Sequence, residues 1–172
     1  MRGLLRIGCL WLVVVLGMGC AGYDLGGRKP QPLVEVTNLH VPLAENLTQI
    51  PRAGARTTNV VVDALTQDGT YRVSSRSQAD AVLSTTLHTV DYRAVRTARA
   101  NRLRAEELEM GVEIRWKVVA ADDPLKVLDS GSSFGRTTIF VDPNLQTARQ
   151  SGLGDALQRA ATSLVGRLAD GF

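Results

Sequence analysis

Cysteine is nearly absent from this chain, which contains only Cys9 and Cys20 among its 172 residues. Because both lie in the first 20 residues, the rest of the chain can form neither a disulfide nor a cysteine-based zinc or redox site. Histidine is equally scarce, and no acid is spaced with His40 or His88 as a metal site would require. The sequence also lacks a glycine-rich phosphate loop. We therefore expect a protein that works by binding, without catalysis, metal or cofactor.

No apolar run approaches the length of about 20 residues that a membrane-spanning helix needs. The longest run, residues 7–16, follows Arg2 and Arg6 and precedes small residues, which is the layout of a secretory signal peptide. The pentapeptide LGMGC at 16–20 resembles the lipobox that precedes a lipidated cysteine in bacterial lipoproteins. We expect residues 1–19 to be the signal peptide, Cys20 to carry lipid, and residues 20–32 to tether the domain. The alternative is an ordinary cleaved signal with an incidental cysteine.

Charge is nearly balanced once the signal is removed, because its two arginines are lost and 18 basic against 17 acidic residues remain. That balance gives no reason to expect nucleic acid as a partner. The basic residues are nevertheless clustered, since residues 92–105 contain five arginines and no acid. These are Arg93, Arg96, Arg99, Arg102 and Arg104.

The strongest structural pattern is the segment 107–118, in which apolar and polar residues alternate without error. Strict alternation predicts a strand with one buried face and one solvated face. Further strands are predicted at 33–41, 71–74, 81–92 and 126–141, the last interrupted by a flexible Ser-Gly-Ser-Ser at 130–133.

Two helices are predicted, one at 53–67 with Gly69 as its stop, and one at the C-terminus. The second would be capped by Asp142-Pro143-Asn144, and its leucines recur every three or four residues. A sheet with one apolar face needs a cover, which two helices can provide. The sequence predicts a single α+β domain over residues 33–172. Its architecture would be a two-layer sandwich, with a mainly antiparallel four- to five-stranded sheet covered on one face by two helices.

Three motifs in order resemble one known family. They are CAGYDL at 20–25, LHVPLAENLT at 39–48 and QADAVL at 78–83. With the long alternating strand and the C-terminal amphipathic helix behind them, the chain is similar to the LPS-assembly lipoproteins of the LptE family. The resemblance covers nearly all of the chain after the signal.

The resemblance implies a non-enzymatic protein, lipid-anchored on the periplasmic face of the outer membrane. Proteins of this family bind the β-barrel protein LptD and lipopolysaccharide, and they help to deliver lipopolysaccharide to the cell surface. The alternative is a periplasmic lipoprotein that regulates a cell-wall synthase or forms part of a secretion pore.

The five arginines are the candidate contact residues. Guanidinium groups bind phosphate through paired, charge-assisted hydrogen bonds, and lipopolysaccharide carries phosphates near its lipid. Two other interpretations stay open: the arginines could contact acidic walls of a barrel, or they could form a solvated strand edge that discourages aggregation.

The anchor can be tested by Cys20→Ala. We expect this variant either to be released into the soluble periplasm or to remain unprocessed, because the lipid that holds the protein would be missing. Membrane fractionation with mass measurement of the product checks it, and Cys9→Ala, within the signal, is the control that should remain anchored. A Cys20→Ala protein that loses its signal and stays in the membrane fraction would contradict lipidation at this residue.

Overall fold

The computed structural model describes residues 29–98, 101–140 and 145–171, and for residues 96–98 and 101–106 it describes the backbone alone. The predicted signal peptide 1–19, Cys20 and most of the predicted tether 20–32 lie outside the described residues. The predicted cap Asp142-Pro143-Asn144 lies outside them as well.

In the described part of the chain, six strands form one mixed sheet on which two helices pack. The strands are β1 (Asn38–His40), β2 (Glu45–Asn46), β3 (Arg72–Val73), β4 (Ala81–Ala98), β5 (Asn101–Ala120) and β6 (Val127–Phe140). The helices are α1 (Ala53–Asp68) and α2 (Leu145–Asp170). The strand order is β3-β1-β4-β5-β6, with β2 beside β4. The three long strands are antiparallel, whereas β1 and β2 run parallel to β4. The α+β prediction is confirmed, with a slightly larger sheet than expected.

The centre of the sheet is β5, and its two faces differ as the alternation predicts. Met110, Val112, Ile114, Trp116 and Val118 are each at most 4% exposed and belong to the core. The core is completed by apolar side chains of both helices, so the helices cover this one face. Glu113 and the exposed residues Arg115 and Lys117 lie on the opposite face. The predicted strand therefore positions the whole core.

The predicted first strand at 33–41 is mostly wrong. Residues Gln31–Leu33 form a 3-10 turn with Pro32 as its second residue. Of the predicted strand, only Asn38–His40 pairs with the sheet. The backbone amide of Val36 donates to the carbonyl of Leu33, which keeps this segment turned. Leu33 and Val36 are still buried, so their apolar character reports packing against the core and not strand pairing.

The predicted break at 130–133 is also wrong, because these residues lie within the continuous strand β6. A Cβ placed on Gly131 would lie 2.8 Å from Cζ2 of Trp116, so the glycine leaves room for the indole. The indole Nε1 donates to the Ser133 hydroxyl at 3.2 Å. The small residues accommodate Trp116 and do not create flexibility.

Helix α2 lies unusually close to β6. A Cβ on Gly135 would overlap the carbonyl oxygen of Ala156 and lie 2.6 Å from the amide nitrogen of Ala160. One turn before Ala156 in the helix, Gly152 packs closely against the side chain of Ile139. Absent side chains at these two positions let the helix backbone rest on the strand.

Gly135→Ala should therefore destabilise the protein by about 1–3 kcal/mol or more, because the methyl group meets helix backbone that cannot move alone. Gly154→Ala is the matched control. Position 154 lies inside α2 with open space around its Cβ, so alanine should raise the free energy of unfolding by about 0.5–1 kcal/mol. Chemical denaturation of both variants checks this, and equal stability of Gly135→Ala and wild type would contradict the close approach.

Candidate functional site

The fold has two chemically different ends. Strand β4 runs toward the β4–β5 hairpin, and both α1 and α2 begin near the same place, where residues of their first turns meet Tyr92 of β4. We call this the hairpin end. At the opposite end, which we call the anchor end, the segment from Lys29 packs near the last turn of α2 and the start of β4.

The arginine-rich segment lies on the hairpin. Pairing between β5 and β6 ends at Glu107–Phe140 among the described residues, whereas β4 and β5 pair with each other as far as Ala98 and Asn101. Both strands thus extend well beyond the predicted limits at 92 and 107. We call residues 93–104 the arginine hairpin. Beyond the pair of Arg96 with Glu107, β4 continues for two described residues, so at about 3.3 Å per residue the described hairpin reaches about 7 Å past the last β6 pairing.

Four of the five predicted contact residues lie on the two arms of this hairpin. Arg93 and Arg96 lie on β4, and Arg102 and Arg104 lie on β5. Arg99 lies outside the described residues. Register shifts occur on both sides of Arg96, and such bulges change the direction in which side chains leave a ribbon. The topology thus brings the predicted residues to one projecting element.

Arg93 is the one member of this set whose side chain the structure describes. It is 74% exposed, and its guanidinium donates to Glu109 on the facing strand at 2.9 Å. The arginine segment contains no acid, yet the antiparallel register places Arg93 opposite Glu109 and Arg96 opposite Glu107. An exposed pair of this kind contributes only about 0.2–1 kcal/mol, so Arg93 remains available to a stronger anionic ligand.

A second group of arginines at the hairpin end was not anticipated from the sequence. Arg52, Arg56 and Arg149 line a cavity of about 490 Å³ between the starts of the two helices. Arg52 and Arg56 lie one helical turn apart at the start of α1, whereas Arg149 comes from α2, so no local pattern could have grouped all three. The Arg149 guanidinium lies 5.1 Å from the centre of the Tyr92 ring.

The anchor end is held by a buried tyrosine. The Tyr71 hydroxyl donates to the carbonyl of Leu168 at 2.6 Å, and the Lys29 ammonium lies 4.5 Å from the centre of its ring. Burial raises the pKa of Tyr71 to about 12, and the nearby carboxylates of Asp129 and Asp68 add to this effect. Tyr71 therefore joins the first described residues to the C-terminal turn of α2.

Asp80 fixes the same end from the sheet edge. Its carboxylate accepts hydrogen bonds from the backbone amides of Asn38 at 2.7 Å and Thr37 at 3.0 Å. These bonds, with that of Asn38 foremost, lower the pKa of Asp80 below its usual value. The incoming chain is thereby attached to β4 just where that strand begins.

Residues 131–135 read GSSFG, which matches the G-x-S-x-G pattern of serine hydrolases. In those enzymes the serine stands on a sharp, exposed turn between a strand and a helix. Here Ser133 lies inside β6, is 1% exposed and accepts the indole hydrogen bond of Trp116. The match is therefore structural and gives no nucleophile.

No cluster of three or more His, Cys, Asp or Glu side chains able to hold a metal ion occurs within the described ranges 29–98, 101–140 and 145–171. No helix within the same ranges is long and apolar enough to cross a membrane.

The sequence was compared with family models. The model for "LptE: Lipopolysaccharide-assembly" matches residues 36–170. The chain belongs to the LptE family. The match covers the whole sheet and both helices, which confirms the resemblance read from the motifs. Membership places the protein in a family of lipopolysaccharide-assembly lipoproteins.

Solved structures with the same fold differ widely from this LptE-family chain in sequence. A dodecamer of a PelC variant from Paraburkholderia phytofirmans is 20% identical, with a TM-score of 0.54 over 83% of this chain and 94% of that one. Protein XCC0632 from Xanthomonas campestris is 15% identical, with a TM-score of 0.55 over 76% and 82%. A minor lipoprotein from Acinetobacter baumannii is 8% identical, with a TM-score of 0.51 over 76% and 91%. At these identities the likeness concerns the fold alone. A search of curated proteins found no match.

The role of Tyr71 can be tested by alkaline titration of tyrosine absorbance, comparing wild type with Tyr71→Phe. The difference should show one tyrosine ionising at about pH 12. Because this pKa is raised above the unfolded value of about 10, the stability from Tyr71 is fully present below pH 10 and is lost between pH 10 and 12. Tyr71→Phe should be less stable at pH 8 by about 1 kcal/mol, and the difference should vanish as the pH approaches 12. A difference spectrum centred near pH 10 would contradict the buried hydrogen bond. Tyr92→Phe, at the opposite end, is the control.

Proposed function

We propose that this protein is an outer-membrane lipoprotein that binds lipopolysaccharide and an LptD-like β-barrel through its hairpin end, and so assists lipopolysaccharide transport to the cell surface. The observation that carries this proposal is the projecting arginine hairpin. Four arginines of the predicted set lie on the two paired arms of this hairpin, and the side chain of Arg93 is exposed. Family membership supports the general role.

The chemistry of the ligand fits the hairpin. Lipopolysaccharide carries phosphates close to its acyl chains, and each guanidinium can form two parallel hydrogen bonds to a phosphate. The start of both helices at the same end adds a favourable potential for anions. A phosphorylated ligand approaching the protein would therefore be attracted to the hairpin end as a whole.

The position of the proposed lipid anchor supports a binding site that lies away from the membrane leaflet holding the lipid. Eight residues separate Cys20 from Lys29, which allows a tether of at most about 30 Å. Strand β5 has 20 residues and spans about 65 Å, with the arginine hairpin at its far end. If Cys20 carries lipid, an upright domain presents its arginines to a partner or a transported molecule and not to the headgroups beside its own anchor.

A second candidate is a self-associating lipoprotein that forms part of a secretion pore. Strand β6 is an edge of the sheet, and Phe134 and Phe140 on its outer face are 57% and 64% exposed. Exposed aromatic residues along an edge strand favour association with another strand. The similar fold of a PelC dodecamer is consistent with this alternative. Light scattering of the purified protein separates the two: a homo-oligomeric ring supports the pore.

The proposal is tested by titrating purified lipopolysaccharide onto the protein at two salt concentrations. Replacing Arg96, Arg99 and Arg102 together by glutamine should weaken binding tenfold or more, because each charge-assisted hydrogen bond contributes about 1.5–3 kcal/mol. Affinity of the wild type should fall as salt rises, since exposed charges are screened beyond about 8 Å at physiological ionic strength. Thermal stability should hardly change.

The matched control removes three basic residues from the anchor end: Arg72, Arg76 and Lys126, each to glutamine. It makes the same change in net charge and should keep wild-type affinity. Equal losses of lipopolysaccharide affinity in the two triple variants would show that the effect depends on net charge alone. Unchanged affinity in a folded hairpin variant would contradict a lipopolysaccharide contact at the arginine hairpin.

A further inference from the structure

The cavity at the hairpin end is distinct from the arginine hairpin itself. Its volume is about 490 Å³, and it is bounded by the start of α1, the start of α2 and the ring of Tyr92. Its charged lining consists of Arg52, Arg56 and Arg149, and none of the described lining residues is acidic. Three like charges around one cavity repel one another, and a bound anion would relieve that repulsion.

Among the described residues, no carboxylate forms an ion pair with any of the three guanidinium groups. The ion pairs found in the described part of the chain involve other arginines, namely Arg93, Arg115 and Arg159. Arg149 instead lies over Tyr92 at 5.1 Å, a cation–π contact that holds its head at the cavity wall while leaving its N–H donors available. All three arginines are exposed, so their guanidinium donors are accessible to a ligand that enters the cavity.

The backbone at Arg52 is a further observation. Arg52 has φ of 61°, and among the described residues it is the one non-glycine with positive φ. Glycine adopts this conformation without strain, whereas an arginine does not. Arg52 precedes α1 without forming a side-chain cap, and no acid occupies the first turn of that helix. The chain thus has an arginine at a position whose backbone conformation glycine would adopt with less strain.

The rest of the lining indicates what accompanies the anion. Ile50, Pro51 and Leu153 supply apolar surface, and three glutamine side chains supply neutral hydrogen-bonding groups. A cavity of this volume lies in the range of small-molecule sites, about 300–1,000 Å³, and is much larger than a phosphate ion needs. Guanidinium groups match phosphate oxygens in geometry and charge.

We propose that this cavity binds a phosphate headgroup joined to an apolar group, as in a phospholipid, through Arg52, Arg56 and Arg149. This inference goes beyond the function proposed above and does not depend on it, because Arg52, Arg56 and Arg149 are not members of the arginine hairpin set and each set can be changed alone. The two sites can therefore fail or succeed separately.

The test is calorimetric titration of the full chain, purified in an uncharged detergent, with two probes. The probes are dihexanoyl phosphatidic acid and inorganic phosphate. The double variant Arg52→Gly with Arg149→Gln should bind phosphatidic acid at least about tenfold more weakly than the wild type. This is the loss expected when two charge-assisted contacts are removed. Because glycine relieves the positive φ at position 52, the single variant Arg52→Gly should unfold at the same or a higher temperature, so weaker binding would not reflect unfolding.

Two controls define the result. Arg72→Gln with Arg76→Gln removes the same two charges at the anchor end and should bind phosphatidic acid as the wild type does. The arginine hairpin variant with Arg96, Arg99 and Arg102 changed to glutamine should also keep phosphatidic acid binding. Loss of lipopolysaccharide binding alone in that variant would support two separate sites.

Tighter binding of phosphatidic acid than of inorganic phosphate supports a lipid headgroup as the ligand. Equal affinity for the two probes supports a phosphate site but overturns the apolar part of the proposal. Absence of binding of either probe to the wild type, or an equal loss in the anchor-end control, overturns the site.

Discussion

The contact between α2 and β6 at Gly135 is the constraint on which the rest of the structure depends. Because the helix backbone touches the strand there, α2 has little freedom to slide or tilt over the sheet. Its first turns are thereby held beside Tyr92, where Arg149 lines the cavity. Its last turn is held where Leu168 accepts the hydrogen bond of Tyr71. One close packing contact thus sets both the hairpin end and the anchor end.

The two ends divide the chemistry of the molecule. At the hairpin end, the arginine hairpin and the arginine-lined cavity lie beside the starts of both helices, so the potential there favours anions. At the anchor end, the buried hydrogen bond of Tyr71 and the exposed hydrogen bonds of Asp80 attach the incoming chain to the domain. A domain whose N-terminal segment enters at one end and whose other end is basic is suited to receive a phosphorylated molecule or an acidic partner, which agrees with membership of the LptE family.

The sequence predicted the elements whose pattern is local. Alternation over 107–118 gave the central strand and its buried face, and apolar spacing gave both helices. Sequence-based prediction failed where the role of a residue depends on contacts with residues distant in the chain. The predicted flexible break at 130–133 is wrong because nothing local shows that Trp116 needs space beside Gly131. The pairing of Arg93 with Glu109 depends on hairpin register. The cavity arginines are gathered from two helices, so their grouping appears only in the folded chain.

The central claim is that the protein acts through its hairpin end on a barrel and on lipopolysaccharide. The most direct measurement is photo-crosslinking in cells, with the crosslinking residue at Ala98 in the arginine hairpin and, as control, at Lys126 at the anchor end. The account predicts that position 98 captures an outer-membrane β-barrel protein and lipopolysaccharide, whereas position 126 captures neither. Capture of a second copy of this chain or of a peptidoglycan polymerase at position 98, without barrel or lipopolysaccharide, would contradict it.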